Sequence, residues 1–193
     1  ETMAAELKAL AASNPAIAQL HDIGDGWEKT AGKANRDIWA IQITSKPSRK
    51  AEKPSLLFLG NTHGRELAAA EVPFMFAKHL VQSYGKDPQV TQWVDTRDIW
   101  IVPMVNPDGH AWAEKGYSWR KNANTSYGGG DTTSYGVDLN RNYSYQFGGG
   151  GTSTSPTAQT FRGPKALSEP ETQAVNRLYA SRKWTFSVSY HAF

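Results

Sequence analysis

The chain contains no cysteine among its 193 residues. That excludes a disulfide scaffold, an iron–sulfur cluster, a Cys-ligated zinc finger and a cysteine nucleophile. It has little excess of one charge: 21 Lys and Arg against 18 Asp and Glu leave a formal net charge of +3. The basic residues are scattered rather than gathered in a run, so no nucleic-acid partner is expected. No apolar stretch approaches the ~18 residues a membrane span needs, and no membrane partner is expected. The start, Glu1-Thr2-Met3-Ala4-Ala5, lacks the basic and apolar regions of a secretory leader. What the chain does have is 39% hydrophobic and 11% aromatic residues, ample for one cored domain and too little chain for two.

Met3, Leu7, Leu10 and Ala11 recur at helical spacing before Asn14-Pro15, which predicts a short amphipathic helix over 2–13. Three β-rich runs follow at Asp37–Thr44, Ser55–Leu59 and Asp98–Val105, with Pro103 awkward inside the third. Their nearly continuous apolar character suits a sheet covered on both faces. Arg65–Tyr84 reads as a helix kinked at Pro73 and closed by Gly85. Ser168-Glu169-Pro170-Glu171 spells a capping box opening a helix to about Lys183, and a fourth strand, Trp184–His191, comes next. Strands alternating with helices predict an α/β fold with a mixed, largely buried twisted sheet flanked by helices. From Lys121 to Pro164 there is no clear period, and 25 of those 44 residues are Gly, Ser, Thr or Asn. The aromatics Tyr127, Tyr135, Tyr143, Tyr145, Phe147 and Phe161 argue against disorder there and for a binding-site loop region.

Chemistry concentrates at His63-Gly64-Arg65-Glu66, just past the buried run Ser55–Leu59. At a strand-to-helix junction the imidazole of His63 and the carboxylate of Glu66 can face one point, and both are good zinc donors. A catalytic zinc takes three protein ligands and keeps one open position. Of the five histidines, His191 stands at the same kind of strand terminus as His63 and is the best third donor. His21, His79 and His110 lack a partner at chelating spacing and read as solvated or hydrogen-bonded side chains. Arg120 and Arg141 lie in the irregular region, where one guanidinium could hold an anionic substrate end and the other steady charge on a carbonyl oxygen. Asn140 can add an amide donor, and Asp138 can accept from the far nitrogen of a metal-bound histidine.

His63-x-x-Glu66, Asn106-Pro107-Asp108-Gly109, Trp119-Arg120-Lys121-Asn122, Asp138-Leu139-Asn140-Arg141-Asn142 and the strand ending in His191 occur in an order that resembles the zinc metallocarboxypeptidases. The likeness is to the carboxypeptidase A/B group and to bacterial relatives such as carboxypeptidase T. It implies one Zn2+ held by His63, Glu66 and His191, and removal of the C-terminal residue of a peptide or protein. It implies that Arg120 polarises the scissile carbonyl, that Asn140 and Arg141 grip the terminal carboxylate, that Arg65 lines the outer cleft, and that Asp138 partners the first zinc histidine. A secreted protein acting as a monomer is the accompanying expectation. The chain stops at Phe193, before the place where the family carries its capping tyrosine, specificity pocket and proton-transferring glutamate. Residues 1–193 are therefore expected to be an incomplete single catalytic domain with its C-terminal part missing, inactive alone. Two other readings stay open: a zinc deacylase of N-acyl amino acids, similar to aspartoacylase and succinylglutamate desuccinylase, and a non-catalytic module binding zinc or peptide C-termini.

Overall fold

The computed structural model describes residues 2–46, 53–128 and 135–192. Among these residues the strands are β1 Ala18–Asp25, β2 Asp37–Ile43, β3 Ser55–Leu59, β4 Asp98–Val102 and β5 Trp184–Ser189. The helices are α1 Thr2–Ser13, α2 Trp27–Thr30, α3 Ala68–Ser83, α4 Pro88–Thr96, α5 Pro107–Glu114 and α6 Pro170–Ala180. The strands form one sheet in the order β1-β2-β4-β3-β5. The pairs β1–β2 and β2–β4 are antiparallel, while β4–β3 and β3–β5 are parallel. The expected mixed sheet is present.

Successive strand side chains point to opposite faces, so an all-apolar strand must be covered on both. In β4 every residue is buried. Ile99 and Ile101 pack with Ile41, Ile43 and Phe58 against α1, α3 and α4, through Leu7, Phe74, Leu80, Val90 and Val94. Trp100 and Val102 pack on the other face with Ile38, Leu57, Leu59 and the α6 residues Ala174, Val175 and Leu178. Each fully buried Ile or Leu contributes about 1.5–3 kcal/mol, so losing one from either layer would destabilise the fold.

Several expectations shift at the edges. The third strand stops at Val102 rather than Val105 because Pro103 cannot donate to the ladder. α3 starts at Ala68 and runs unbroken through Pro73. Pro73 leaves the Ala69 carbonyl without its helical donor. That oxygen lies against Gly60, where a Cβ would come within 2.2 Å of it. β1, α4 and α5 are additional elements. β1 is a half-exposed edge strand with a register irregularity between Asp22 and Gly24, and its polar residues hide its strand character. The stretch 121–164 contains a 3-10 turn at Leu139–Arg141 and is otherwise irregular where described; residues 129–134 lie outside the described residues. Ring contacts such as Trp119–Tyr135 at 4.5 Å and Tyr127–Phe161 at 5.7 Å help to order it, and Leu139 joins the core layer beneath α6.

α6 ends at Ala180, short of Lys183, and the capping box at its start does not form. Glu169 occupies the N-cap position without a side-chain bond to the helix, and Ser168 Oγ donates to Glu169 Oε1 instead, at 2.7 Å. Glu171, in the first turn, is fully buried. Burial pushes its carboxyl up to about 8, against the opposing hydrogen bonds from Asn122 and the Trp27 N–H and with support from the charge of Glu169. An unfolded glutamate loses its proton near pH 4.5, so between there and about 8 the folded state binds the extra proton and stability falls as pH rises. The melting temperature should therefore drop more steeply from pH 5 to 8 in the wild type than in Glu171→Gln, measured by thermal melts of both proteins. Parallel curves would show that Glu171 does not titrate in this way.

Candidate metal centre

β3 and β5 run parallel with Leu59 opposite Ser189, and the Tyr190 N–H donates to the Leu59 carbonyl at 2.8 Å. The two chains therefore leave the sheet side by side at their C-terminal ends, where ligands of open α/β sheets gather. His63 and Glu66 follow β3; His191 follows β5. His63 Nδ1 lies 2.8 Å from Glu66 Oε1 and 3.2 Å from His191 Nδ1, and His191 Nδ1 lies 2.9 Å from Glu66 Oε2. His63 is buried and Glu66 almost so, with His191 more open to solvent. Two residues expected from their strand-end positions to meet do meet, 128 positions apart.

The far side of His63 decides what this cluster is. His63 Nε2 is 3.2 Å from Asp138 Oδ1. Burial alone would raise the Asp138 carboxyl, but the hydrogen bond from His63 and the charge of Arg120 outweigh it and hold it below the usual range. Asp138 is thus an acceptor for His63 Nε2–H, a bond that would leave the His63 Nδ1 lone pair free for an ion. The carboxylate of Glu66, also held below its usual range once His63 outweighs burial, brings only lone pairs. A hydrogen on an inward imidazole nitrogen, or a metal ion in its place, satisfies donors and acceptors that converge in this way. Zinc bonds of about 2.0–2.2 Å in a tetrahedron separate ligand atoms by roughly 3.3 Å. The observed spacings suit such an ion with little adjustment, and the two-nitrogen, one-carboxylate set suits zinc chemically.

The turn is built by residues that single-chain pattern reading passes over. Asn61 is fully buried with φ +52°, a left-handed conformation that Asn tolerates. Its amide donates to the carbonyls of His63, Gly64 and Glu66 at 3.1, 3.2 and 3.1 Å. His110 Nδ1 meets Asn61 Oδ1 at 3.1 Å, so this histidine is a buried brace, the hydrogen-bonded of its two expected states. Asn106 caps α5 through the Gly109 N–H and donates to the carbonyls of Thr62 and Lys121. Gly64 passes so close to Gly109 that a Cβ would lie 2.3 Å from its backbone. The Asn106–Gly109 motif therefore supports the metal turn. Only through-space contacts reveal this; the Asn–Pro capping signal is the one trace in the sequence.

Arg120 is joined to the same centre by one carboxylate. Its Nε and Nη2 reach Asp138 Oδ2 at 3.2 and 3.0 Å, while its carbonyl accepts from Gly64 N–H at 3.2 Å. Arg65 is exposed, with its backbone N–H on the Trp119 carbonyl and Nη1 3.5 Å from Ser118 Oγ. Asn140 and Arg141 lie in the 3-10 turn that Asp138 caps through the Asn140 N–H. Arg141 Nε donates to the Gly151 carbonyl at 3.0 Å. A cavity of about 200 Å³ is lined by Asn140, Arg141, Tyr143, Tyr145, Gln146 and Thr152, with Gly149 and Gly150. The remaining histidines stand apart: His21 stacks on Trp100 at 4.6 Å, and His79 contacts Ser83 on α3. A second acidic group, Asp22, Asp25 and Asp37, also gathers, but Lys29 pairs with Asp25 and Asp37 and neutralises it.

Comparison with known proteins agrees with this geometry. The family model described as zinc carboxypeptidase matches residues 3–193. Carboxypeptidase A2 of Rattus norvegicus is 31% identical over 171 residues, covering 88% of this chain and 38% of the relative. Metallocarboxypeptidase A of Arthroderma otae is 34% identical over 170 residues, covering 84% and 39%. The crystal structure of carboxypeptidase A from Helicoverpa armigera superposes with a TM-score of 0.83 at 28% identity, over 97% of this chain and 44% of that one. The chain thus spans about two-fifths of the length of these relatives. With its ordered motifs, its sheet and its His63–Glu66–His191 cluster, the chain belongs to the zinc carboxypeptidase family.

Proposed function

We propose that this chain supplies the metal-binding and substrate-gripping part of a zinc exopeptidase that hydrolyses the C-terminal peptide bond of peptides or proteins. The observation that carries the reading is the inward convergence of His63 Nδ1, Glu66 and His191 Nδ1 beside the Asp138-held Arg120. Zinc held there would supply Lewis acidity toward a peptide carbonyl and would acidify water. The chain's own residues do the rest. Asp138 fixes the His63 ring. Arg120, steadied on Asp138, can donate to the carbonyl oxygen and stabilise the charge that grows on it. Asn140 and Arg141 grip the terminal carboxylate, and the neighbouring cavity, about 200 Å³, is below the ~300–1,000 Å³ of drug-sized sites and suits one terminal residue. Arg65 contacts residues further up the peptide. No residue of the chain is assigned the proton transfer.

The family match favours the peptidase over the deacylase. Among the described residues no helix is long and apolar enough to cross a membrane. Secretion and a monomeric state belong to the same proposal, and recovery from culture medium and light scattering of the full-length protein test them.

Arg141 gives the sharpest check of exopeptidase chemistry, because only a chain end offers a free carboxylate. Removing one partner of a desolvated charge pair costs about 2–5 kcal/mol. Arg141→Ala in the full-length enzyme should therefore lower kcat/KM for a free-carboxylate peptide by roughly 10²-fold, at ~1.4 kcal/mol per tenfold. The same peptide amidated at its C-terminus should lose less than about threefold, since it never made the contact. Equal losses on both peptides would refute the role.

A further inference from the structure

Glu169 and Glu171 are fully buried carboxyl groups at the start of α6, with no part in the metal cluster. They reach back into the irregular region. Asn122 Nδ2 donates to Glu169 Oε2 at 2.8 Å and to Glu171 Oε2 at 3.1 Å, and Asn124 Nδ2 donates to Glu169 Oε2 at 2.7 Å. Asn122 stands two residues after Arg120. Its own Oδ1 accepts from the Val137 N–H at 2.9 Å, at the head of the segment that leads to Arg141.

The same helix start also holds the other side. Asn142, next to Arg141, accepts at Oδ1 from Thr172 Oγ1 at 2.7 Å and from the Glu169 N–H at 3.3 Å. Its amide donates to Ser168 Oγ at 2.9 Å, and Ser168 Oγ donates onward to Glu169 Oε1 at 2.7 Å. Both loops that bear a functional arginine are therefore tied to one short piece of regular structure. α6 is itself seated on the sheet through Ala174, Val175 and Leu178.

We propose that the Glu169–Glu171 pair is a latch that positions Arg120 and Arg141 relative to each other, so that α6 and the sheet reinforce the spacing that the Arg120–Asp138 contact sets between the two loops. Carboxyl groups suit this task. Glu169 Oε2 accepts from two amides at once, which uses both lone pairs of one oxygen, and its other oxygen takes the Ser168 hydroxyl. Burial holds the proton on the Glu171 group, while the three donors on Glu169 are fixed by geometry. The latch acts through other residues, so both glutamates are positioning groups.

This inference rests on the roles proposed above for Arg120 and Arg141. Its test compares Glu169→Ala, Glu169→Gln, Thr172→Val and Arg141→Ala in the zinc-loaded full-length enzyme, using one peptide with a free C-terminus and its amidated twin. Glu169→Ala should keep its zinc, yet raise KM about tenfold and lower kcat about tenfold on the free-carboxylate peptide. Its preference over the amide should shrink, and Glu169→Gln, which keeps an oxygen acceptor, should recover most of both. Thr172→Val keeps its shape but loses the bond to Asn142; it should raise KM severalfold with kcat unchanged, and it decides the matter if Glu169→Ala does not fold. Glu169→Ala or Thr172→Val with KM, kcat and carboxylate preference all within twofold of wild type would overturn the latch. If Arg141→Ala also leaves the preference intact, the underlying exopeptidase reading fails; if Arg141→Ala abolishes it, only the latch fails.

Discussion

Glu66→Ala is expected to abolish zinc binding under ordinary conditions, with affinity falling roughly 10³-fold and hydrolysis falling with it. A protein zinc site is worth on the order of 10 kcal/mol. Glu66 is the one anion among the three donors, and its loss leaves two imidazoles as a weak chelate. Its carboxylate also accepts from the Ala192 N–H at 3.2 Å and faces both histidines, so the alanine variant loosens the seat of His191 as well. Glu66→Gln separates the two effects: it keeps the size and one acceptor oxygen but removes the charge, so it should fold normally and still bind zinc at least 10²-fold more weakly. Competition against a chromophoric chelator measures this. Wild-type affinity in Glu66→Gln would show that the carboxylate is not a ligand.

The second large effect is at Arg120. If its guanidinium stabilises charge that exists only as the carbonyl is attacked, Arg120→Ala should lower kcat about 10²–10³-fold with a small change in KM and full zinc content. Arg120→Lys should recover little. A lysine ammonium keeps the charge but cannot span Asp138 Oδ2 through two nitrogens, as Nε and Nη2 do now at 3.2 and 3.0 Å, while aiming a third donor outward. Steady-state kinetics with zinc analysis of the same samples decides it. A loss confined to KM would reassign Arg120 to ground-state binding.

The parts of the fold legible in the sequence are those where burial on both faces forces a continuous apolar run. Ser55–Leu59 matches its strand to the residue, and the run from Asp98 is cut short only where Pro103 withdraws a donor. β1 was illegible for the opposite reason. An edge strand carrying Gln19, His21, Asp22 and Asp25 needs apolar residues on only part of one side. The cluster His63–Glu66–His191 could be anticipated because histidine is scarce, five in the chain, and each of the three residues follows a strand end. The braces could not. Asn61 works by collecting three backbone carbonyls, His110 by steadying Asn61, and Glu169 by accepting from Asn122 and Asn124, 47 and 45 positions away. Nothing local marks such residues. Ser168-Glu169-Pro170-Glu171 even carries the signature of a different local motif, and the long-range amides outcompete it.

Anomalous diffraction at the zinc edge, on crystals of the zinc-loaded protein, tests the central claim most directly. A single zinc peak is expected at this cluster, about 2.0–2.2 Å from His63 Nδ1, a Glu66 oxygen and His191 Nδ1. A peak at the Asp22–Asp25–Asp37 group with none at His63, or His63 and His191 turned to coordinate through other atoms or not at all, would contradict it.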